Sequence, residues 1–510
     1  MSRSPARTRL PDFAGRPLTL PEDASAWERL DTGGACADVL LLGLGPGDPR
    51  ALPFARAARE RGGTVFWVEE PATLSRLHPE GLEAPGWRRL EPAEASLLTG
   101  AAIYLYRPSL RLAPDFWGPL AGRIEARAAG TPPVPARSPA VWLPGDETQL
   151  LHRELRQALE EAGFLPVCGE APHGVAGLPG IRGGRVPAFV LSVNLRGLDA
   201  DGRIFHACRA MGVPVALWFV DNPWHVLSAV RLPWWREAHI FVTDASFMSG
   251  LGAAGARSVH HLPLAVAPHM WRPLPDKAEA ARLGLAPPRF VGRAAFPGRG
   301  RFFAAARVPE AQLDEALALT LANARPDRQA NFHWWARRLS VRPWPGHEVR
   351  AAGLGTERCA QANRARWIGA ALPLGLRVTG DALWRELVPG CEPEAPVDYY
   401  GALPTLYREA SAVLNVTSLL IPQSLSQRHF DVWAAGGLLL TDATPGLDIF
   451  PPELTRPVTL AARGELGPRL AELAASPARA LELRRAWREH LRTAHTYAHR
   501  LASIREKIGA

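Results

Sequence analysis

Lysine is nearly absent from this chain of 510 residues: among 59 basic residues only Lys277 and Lys507 are lysine, and the rest are arginine. The net charge of +9 would suit a polyanionic partner. The arginines, however, run along the whole sequence and form no like-charged block, whereas a nucleic-acid face concentrates its charge. No nucleic-acid partner is expected; the richness in Ala, Gly and Pro points instead to a GC-rich coding bias. An arginine surplus equally suits diphosphate recognition, because the planar guanidinium pairs with two phosphate oxygens at once. Paired cysteines are missing too. Cys36, Cys168, Cys208, Cys359 and Cys391 are scattered with no CxxC spacing, which fits reduced thiols better than a disulfide framework or a zinc site. There is no apolar run of about 18 residues, so no transmembrane segment is expected. The start, "MSRSPARTRLPDF", is basic with no apolar stretch after it and does not read as a signal peptide. The expectation is a cytoplasmic protein.

What is present is ordinary globular composition, 47% hydrophobic and 21% charged, in a chain long enough for two or three domains. The first block, "ADVLLLGLGPGDPRALPFARAARERGGTVFWVEE", reads as a strand Val39 to Leu42, a glycine turn, a helix to about Arg61 and a strand Val65 to Val68 closing on Glu69-Glu70. "AAIYLYRP" adds a strand. The Pro-rich stretch Ala128 to Trp142 reads as a linker. An amphipathic helix, "ETQLLHRELRQALEEAGF", opens a second block. "AFVLSVN", "PVALWFVDNP", "HIFVTD" and "SVHHLPLAV" follow, apolar runs with polar or turn ends and helical segments between them. That rhythm implies a parallel sheet with Asn194, Asp221 and Asp244 on one edge. The third block starts at "PPRFVGRAAFPGRGRFF" and, after an irregular stretch, resumes with "GLRVTGDALW", "ASAVLNVTS" and "SQRHFDVWAAGGLLLTDATPGLDIF". The fold class expected is α/β.

Ligands of such sheets gather at the carboxyl ends of strands, where helix N-termini point unpaired amides. The turn "GLGPG", Gly43 to Gly47, followed by Glu69-Glu70, has the logic of a nucleotide site, although Pro46 and Pro49 remove amides a phosphate would use. In "WFVDNPWH", Asp221 follows a buried strand and Asn222-Pro223 turns the chain, so the carboxylate either caps the next helix or faces a cleft beside His225, a group able to move protons. His260 and His261 are neighbours on a strand and face opposite ways, against a metal site. Asn415, Thr417, Ser418 and Ser424 precede a helix carrying Gln427, Arg428 and Asp431. Arg428 and Asp431, three residues apart, could form a local ion pair. Their place at a strand end favours a diphosphate cradle, with Asp431 meeting ribose or sugar hydroxyls.

"LNVTSLLIPQSLSQRHFDVWAAGGLLLTD" with "HTYAHRL" near the C-terminus resembles the C-terminal domain of CgeB-like, group 1 bacterial glycosyltransferases. "SVNLRGLDADG", "ALWFVDNPWH", "IFVTD" and "HLPLAVAP" are similar to the half that precedes it. The resemblance covers roughly residues 150 to 505, with a poorly matching interval from about 304 to 350. It implies the GT-B architecture: two Rossmann-like domains facing a cleft, here 140–280 on the acceptor side and 285–510 holding the donor, preceded by a smaller Rossmann-like domain, 1–135. It implies a hexosyl-type transfer from a UDP-, GDP- or dTDP-sugar to a protein or glycan acceptor, with no metal or other cofactor required. Carried over, Arg428 meets the diphosphate, Asp431 the ribose or sugar, and Gly436 and Gly437 allow close backbone approach. Gly292 lines the loop after the first strand of that domain, and Asp221 is where an acceptor-side base lies. The first block is similar, more faintly, to the methyltransferase-like domain in front of some surface and flagellin glycosyltransferases. Its usual GLGxGYH turn reads "GLGPGDP" here, so an accessory docking role is expected. The rival expectations are a non-catalytic glycosyltransferase-like scaffold of a coat or surface assembly and, last, methyl transfer from S-adenosylmethionine by the first block.

Overall fold

The computed structural model describes residues 8–30, 36–80, 82–132, 134–171, 178–181 and 184–510. It is an α/β protein with parallel sheets, as the strand and helix rhythm of the sequence implies. The chain divides into two compact units: 1–146 with 164–216 and 230–238, and 147–163 with 217–229 and 239–510. The chain passes from one unit to the other within the strand Val215–Phe219.

In the first unit a five-stranded sheet has the order Trp27–Arg29, Ala101–Tyr106, Asp38–Leu42, Val65–Val68, Trp87–Arg89. Only the Trp27–Arg29 edge runs antiparallel. Val39 to Leu42 are buried without alternation, the pattern of a strand covered on both faces by helices. The unit also holds Ala140–Leu143 flanked in parallel by Leu165–Cys168 and Phe189–Val193. This corrects the expected linker, which ends inside a strand. Trp142 is fully buried and donates from Nε1 to the carbonyl of Gly169, 3.0 Å away. The Pro-rich composition around it masks a four-residue apolar run, Ala-Val-Trp-Leu; Pro133 of that stretch lies outside the described residues.

In the second unit a five-stranded sheet has the order Arg377–Thr379, Arg289–Val291, Val413–Asn415, Leu439–Asp442, Thr459–Leu460, parallel throughout. All its carboxyl ends therefore share one edge. Helix Arg428–Ala434 buries His429 to Ala434 against this unit's core, where Trp433 and Trp487 stack at 4.9 Å between centroids. His239–Val242 and Ser258–His261 form a further parallel pair. The interval that matched poorly in sequence is helical, with Glu310–Ala322 and Phe332–Arg338 leading to the long helix Val349–Ala371. Among the described residues no helix is long and apolar enough to cross a membrane.

Candidate functional site

The glycine turn of the first unit is occupied by the chain itself. Gly43 and Gly45 adopt positive φ, 86° and 69°, so the turn forms as the sequence implies. Trp27 donates from Nε1 to the Gly43 carbonyl at 3.2 Å, and a Cβ on Gly45 would meet its ring at 2.6 Å. Glu69, which follows the next strand, reaches back and accepts from the Leu44 amide at 2.8 Å; burial pushes its carboxyl up to about 7. Glu70 caps helix Pro71–Leu77 by accepting from Ala72 N and Thr73 N at 3.0 and 2.7 Å.

The second unit brings most of the other candidates to strand ends. Asn415, last residue of its strand, accepts from Arg428 Nε and Ser426 Oγ, both at 2.9 Å. Arg428 also donates from Nη1 to the Val291 carbonyl at 2.8 Å. The side chain is only partly buried, no carboxylate lies within ion-pair distance of it among the described residues, and its Nη2 has no protein acceptor there. Gly292 sits against it: a Cβ there would lie 3.5 Å from Arg428 Nη1. Thr417 donates its amide and hydroxyl to Asp442 at 3.0 and 2.7 Å.

Asp431 does not pair with Arg428. Its carboxylate is buried and accepts from the Ala267 amide at 3.1 Å, Gln427 Nε2 at 3.0 Å and the Tyr399 hydroxyl at 2.8 Å. Burial outweighs those donors and lifts its carboxyl to about 7. Gln427 is held as well, donating to the Ala265 carbonyl at 2.7 Å. The close approach that Gly436 and Gly437 permit is to the chain itself: a Cβ on Gly436 would lie 3.3 Å from the Pro273 carbonyl oxygen, and one on Gly437 2.5 Å from that of Tyr407.

A cavity of about 540 Å³ opens in this unit, and Asp221, His225 and Ser418 line it. The helix cap after the Val215–Phe219 strand is Asn222, not Asp221. Its Oδ1 accepts from Trp224 N and His225 N at 3.0 and 3.3 Å, and its Nδ2 donates to the Leu420 carbonyl at 2.9 Å. Asp221 is exposed on the cavity wall. His225 is packed among Phe302, Phe303 and Phe332. Burial, and then the nearby Arg350 charge, lower it to about 3, so its imidazole is neutral and a weak base near pH 7.

Sequence reasoning missed three further residues on this wall: Arg293, Glu357 and Arg364. Arg293 is exposed and follows the strand Arg289–Val291 by two positions; the one available signal was the "VGR" that ends that strand. Glu357 and Arg364 lie two turns apart on helix Val349–Ala371, on one face, with their charged atoms 3.5 Å apart. Burial raises the Glu357 carboxyl, opposed by Arg364. Phe296, Phe302, Leu420 and Ile421 supply an apolar surface. The cavity thus combines cationic groups, two carboxylates and an aromatic face, a mix suited to a small organic anion. Among the described residues no group of three or more His, Cys, Asp or Glu is placed to hold a metal ion.

Residues 357–506 match a family model described as glycosyl transferase-like. That segment includes Glu357, Arg364 and the Arg428 helix. No curated protein matches the chain. Among solved structures, the DNA-modifying β-glucosyltransferase studied with and without uridine diphosphoglucose is 10% identical, over 73% of this chain and 99% of its own, at a TM-score of 0.38. The T4 phage enzyme in complex with its UDP-glucose substrate gives 10% identity, the same coverage of 73% and 99%, and a TM-score of 0.39. A UDP-forming α,α-trehalose-phosphate synthase from Burkholderia vietnamiensis is 12% identical over 92% of this chain and 98% of its own, at 0.30. Likenesses this loose decide neither fold nor chemistry.

Proposed function

We propose that the protein is a glycosyltransferase of the GT-B type, moving a sugar from a nucleotide-sugar donor to a hydroxyl of a protein or glycan acceptor. The observation that carries this is the cavity of the second unit, where the exposed Arg293 guanidinium follows a strand end and the Asp221 carboxylate shares the same wall. The glycosyl transferase-like segment, residues 357–506, supplies part of that wall. The three-part division into 1–135, 140–280 and 285–510, a bacterial surface or flagellar acceptor, and a cytoplasmic site of action belong to the same proposal.

Asp221 takes the acceptor proton as the acceptor oxygen attacks the anomeric carbon. The bond from that carbon to the diphosphate oxygen breaks, and the nucleoside diphosphate leaves with its added charge met by Arg293. Arg428 is not among the residues that line this cavity; its Nε and Nη1 tie the strand ends at Asn415 and Val291 together. Asp431 and Gln427 hold the helix in place through their protein partners.

A melting-shift panel of UDP, GDP and dTDP, followed by donor turnover with and without acceptor protein, tests this reading. Binding of one diphosphate, lost in Arg293→Ala, with turnover lost in Asp221→Asn is the expected result. The rival scaffold reading is favoured by the protein partners that already engage Arg428 and Asp431. Absence of both binding and turnover would establish it instead.

A further inference from the structure

The first unit carries a second cationic cavity, of about 260 Å³, which the proposed transfer does not use. It opens beside the carboxyl end of the Ala101–Tyr106 strand, the edge where α/β sheets receive ligands. The glycine turn that the sequence offers for this role is filled by Trp27. Arg107 and Arg111 come from the segment directly after that strand, Arg203 from the start of helix Arg203–Ala210, and Arg231 from a loop; Glu28 and Asp201 complete the charged lining.

These charges are not all matched by protein. Arg203 is engaged fully: Nη1 donates to Glu28 at 2.6 Å, and Nε donates to Glu125 at 2.8 Å with Nη2 on the same oxygen. Arg111 uses only Nη2, on Asp12 at 2.9 Å, and Arg107 only Nη2, on the Ser25 carbonyl at 2.8 Å. Arg231 has no side-chain hydrogen bond or ion pair among the described residues, while its amide donates to the Ala200 carbonyl at 3.2 Å and so seats it beside Asp201. Three guanidinium groups with unengaged donors thus share the cavity with the Asp201 carboxylate, which draws its electrostatic attraction from Arg231, Arg203 and Arg111. Arg107 and Arg231 are exposed and Arg111 is half-buried.

We propose that this cavity binds the phosphate group of a small phosphorylated molecule. A tetrahedral dianion offers enough oxygens to accept from three forks at once, which a single carboxylate does not. The volume, about 260 Å³, lies below the range of roughly 300–1,000 Å³ typical for drug-sized ligands, so the enclosed part of the ligand is the phosphate and a short organic stem. This site is separate from the proposed donor cavity, and neither proposal rests on the other.

Phenylglyoxal labelling of the full chain, read arginine by arginine by mass spectrometry, tests it with inorganic phosphate and glycerol 3-phosphate as probes. Both probes are expected to slow labelling of Arg107 and Arg231 several-fold relative to chloride at equal ionic strength. Arg231→Ala, a change at an exposed side chain, is expected to remove most of the protection at Arg107, while Arg293→Ala leaves it intact. Equal labelling with and without both probes overturns the proposal, as does protection at Arg107 that Arg231→Ala leaves unchanged.

Discussion

Arg364 donates from Nη1 to the carbonyl of Arg293 and from Nη2 to that of Ala294, both at 3.1 Å. One side chain of the long helix therefore fixes the loop that presents the Arg293 guanidinium to the cavity. A lysine at 364 is a point donor and cannot reproduce this fork. Arg364→Lys is expected to weaken nucleoside diphosphate binding by loosening the loop. Arg293→Ala should cost more, about 1.5–3 kcal/mol for lost charge-assisted hydrogen bonds, which is roughly 10- to 150-fold in Kd. Calorimetric titration measures both, and the melting temperature of Arg293→Ala should stay near the parent's because the side chain is exposed.

Asp221 and Asn222 are neighbours with separable roles. Asn222→Ala removes a helix cap and the tether to Leu420, with an expected loss of about 1–2 kcal/mol in urea unfolding. Asp221→Asn keeps the shape and removes the proton acceptor, so kcat should fall at least about 100-fold with the urea midpoint little changed. A stable Asp221→Asn protein with parental turnover would exclude Asp221 as the base.

The alternation of strands and helices was legible in the sequence because apolar runs such as Val39 to Leu42 and Leu438 to Leu440 end in glycine or polar residues. The strand Ala140–Leu143 was not, because prolines surround its short apolar run. At the site, Asp221 and Ser418 were legible from their places after strands. Glu357 and Arg364 were not: they sit mid-helix, and only the packing of Val349–Ala371 turns their face to the cavity. The protein partners of Asp431 and Glu69 were not legible. A carboxylate at a strand or helix end looks available to a ligand, but its hydrogen-bond partners, Tyr399 and Ala267 for one and Leu44 for the other, come from distant segments.

Burial raises Asp431 from 3.8 to about 7. Its folded value lies above its unfolded one, so the folded chain binds this proton more tightly, and the stability from it is present below the unfolded value and lost as pH rises toward 7. Glu69 and Asp442, raised to about 7 and about 6, act in the same direction. His225, His429 and His495, lowered to about 3, act oppositely between that value and the ordinary histidine range. The difference between parent and Asp431→Asn isolates one group. Asparagine keeps an oxygen for Ala267 and Gln427 and offers its amide to the Tyr399 oxygen. The variant should gain on the parent by up to about 1.4 kcal/mol per pH unit across the window from roughly pH 4 to 7. Urea midpoints measured across that range check the sign; a constant difference would show that Asp431 stays ionised throughout.

Gly353 lies inside the long helix, where alanine would ordinarily stabilise by about 1 kcal/mol. Here a Cβ would overlap Nε2 and Cε1 of His225 and approach Phe303 at 3.1 Å. The ring cannot swing away cheaply, because Phe302 and Phe332 enclose it as well. Gly353→Ala should therefore destabilise by about 1–3 kcal/mol despite its helix propensity, the usual cost of overpacking a filled core. His225→Ala leaves a hole and should also destabilise, but the two changes occupy the same space. The double variant is expected to be more stable than the sum of the singles by at least about 1 kcal/mol, the signature of residues in contact. Strict additivity in a thermal or urea cycle would mean that the helix and the His225 ring do not meet, and with that the cavity wall they form together would be lost.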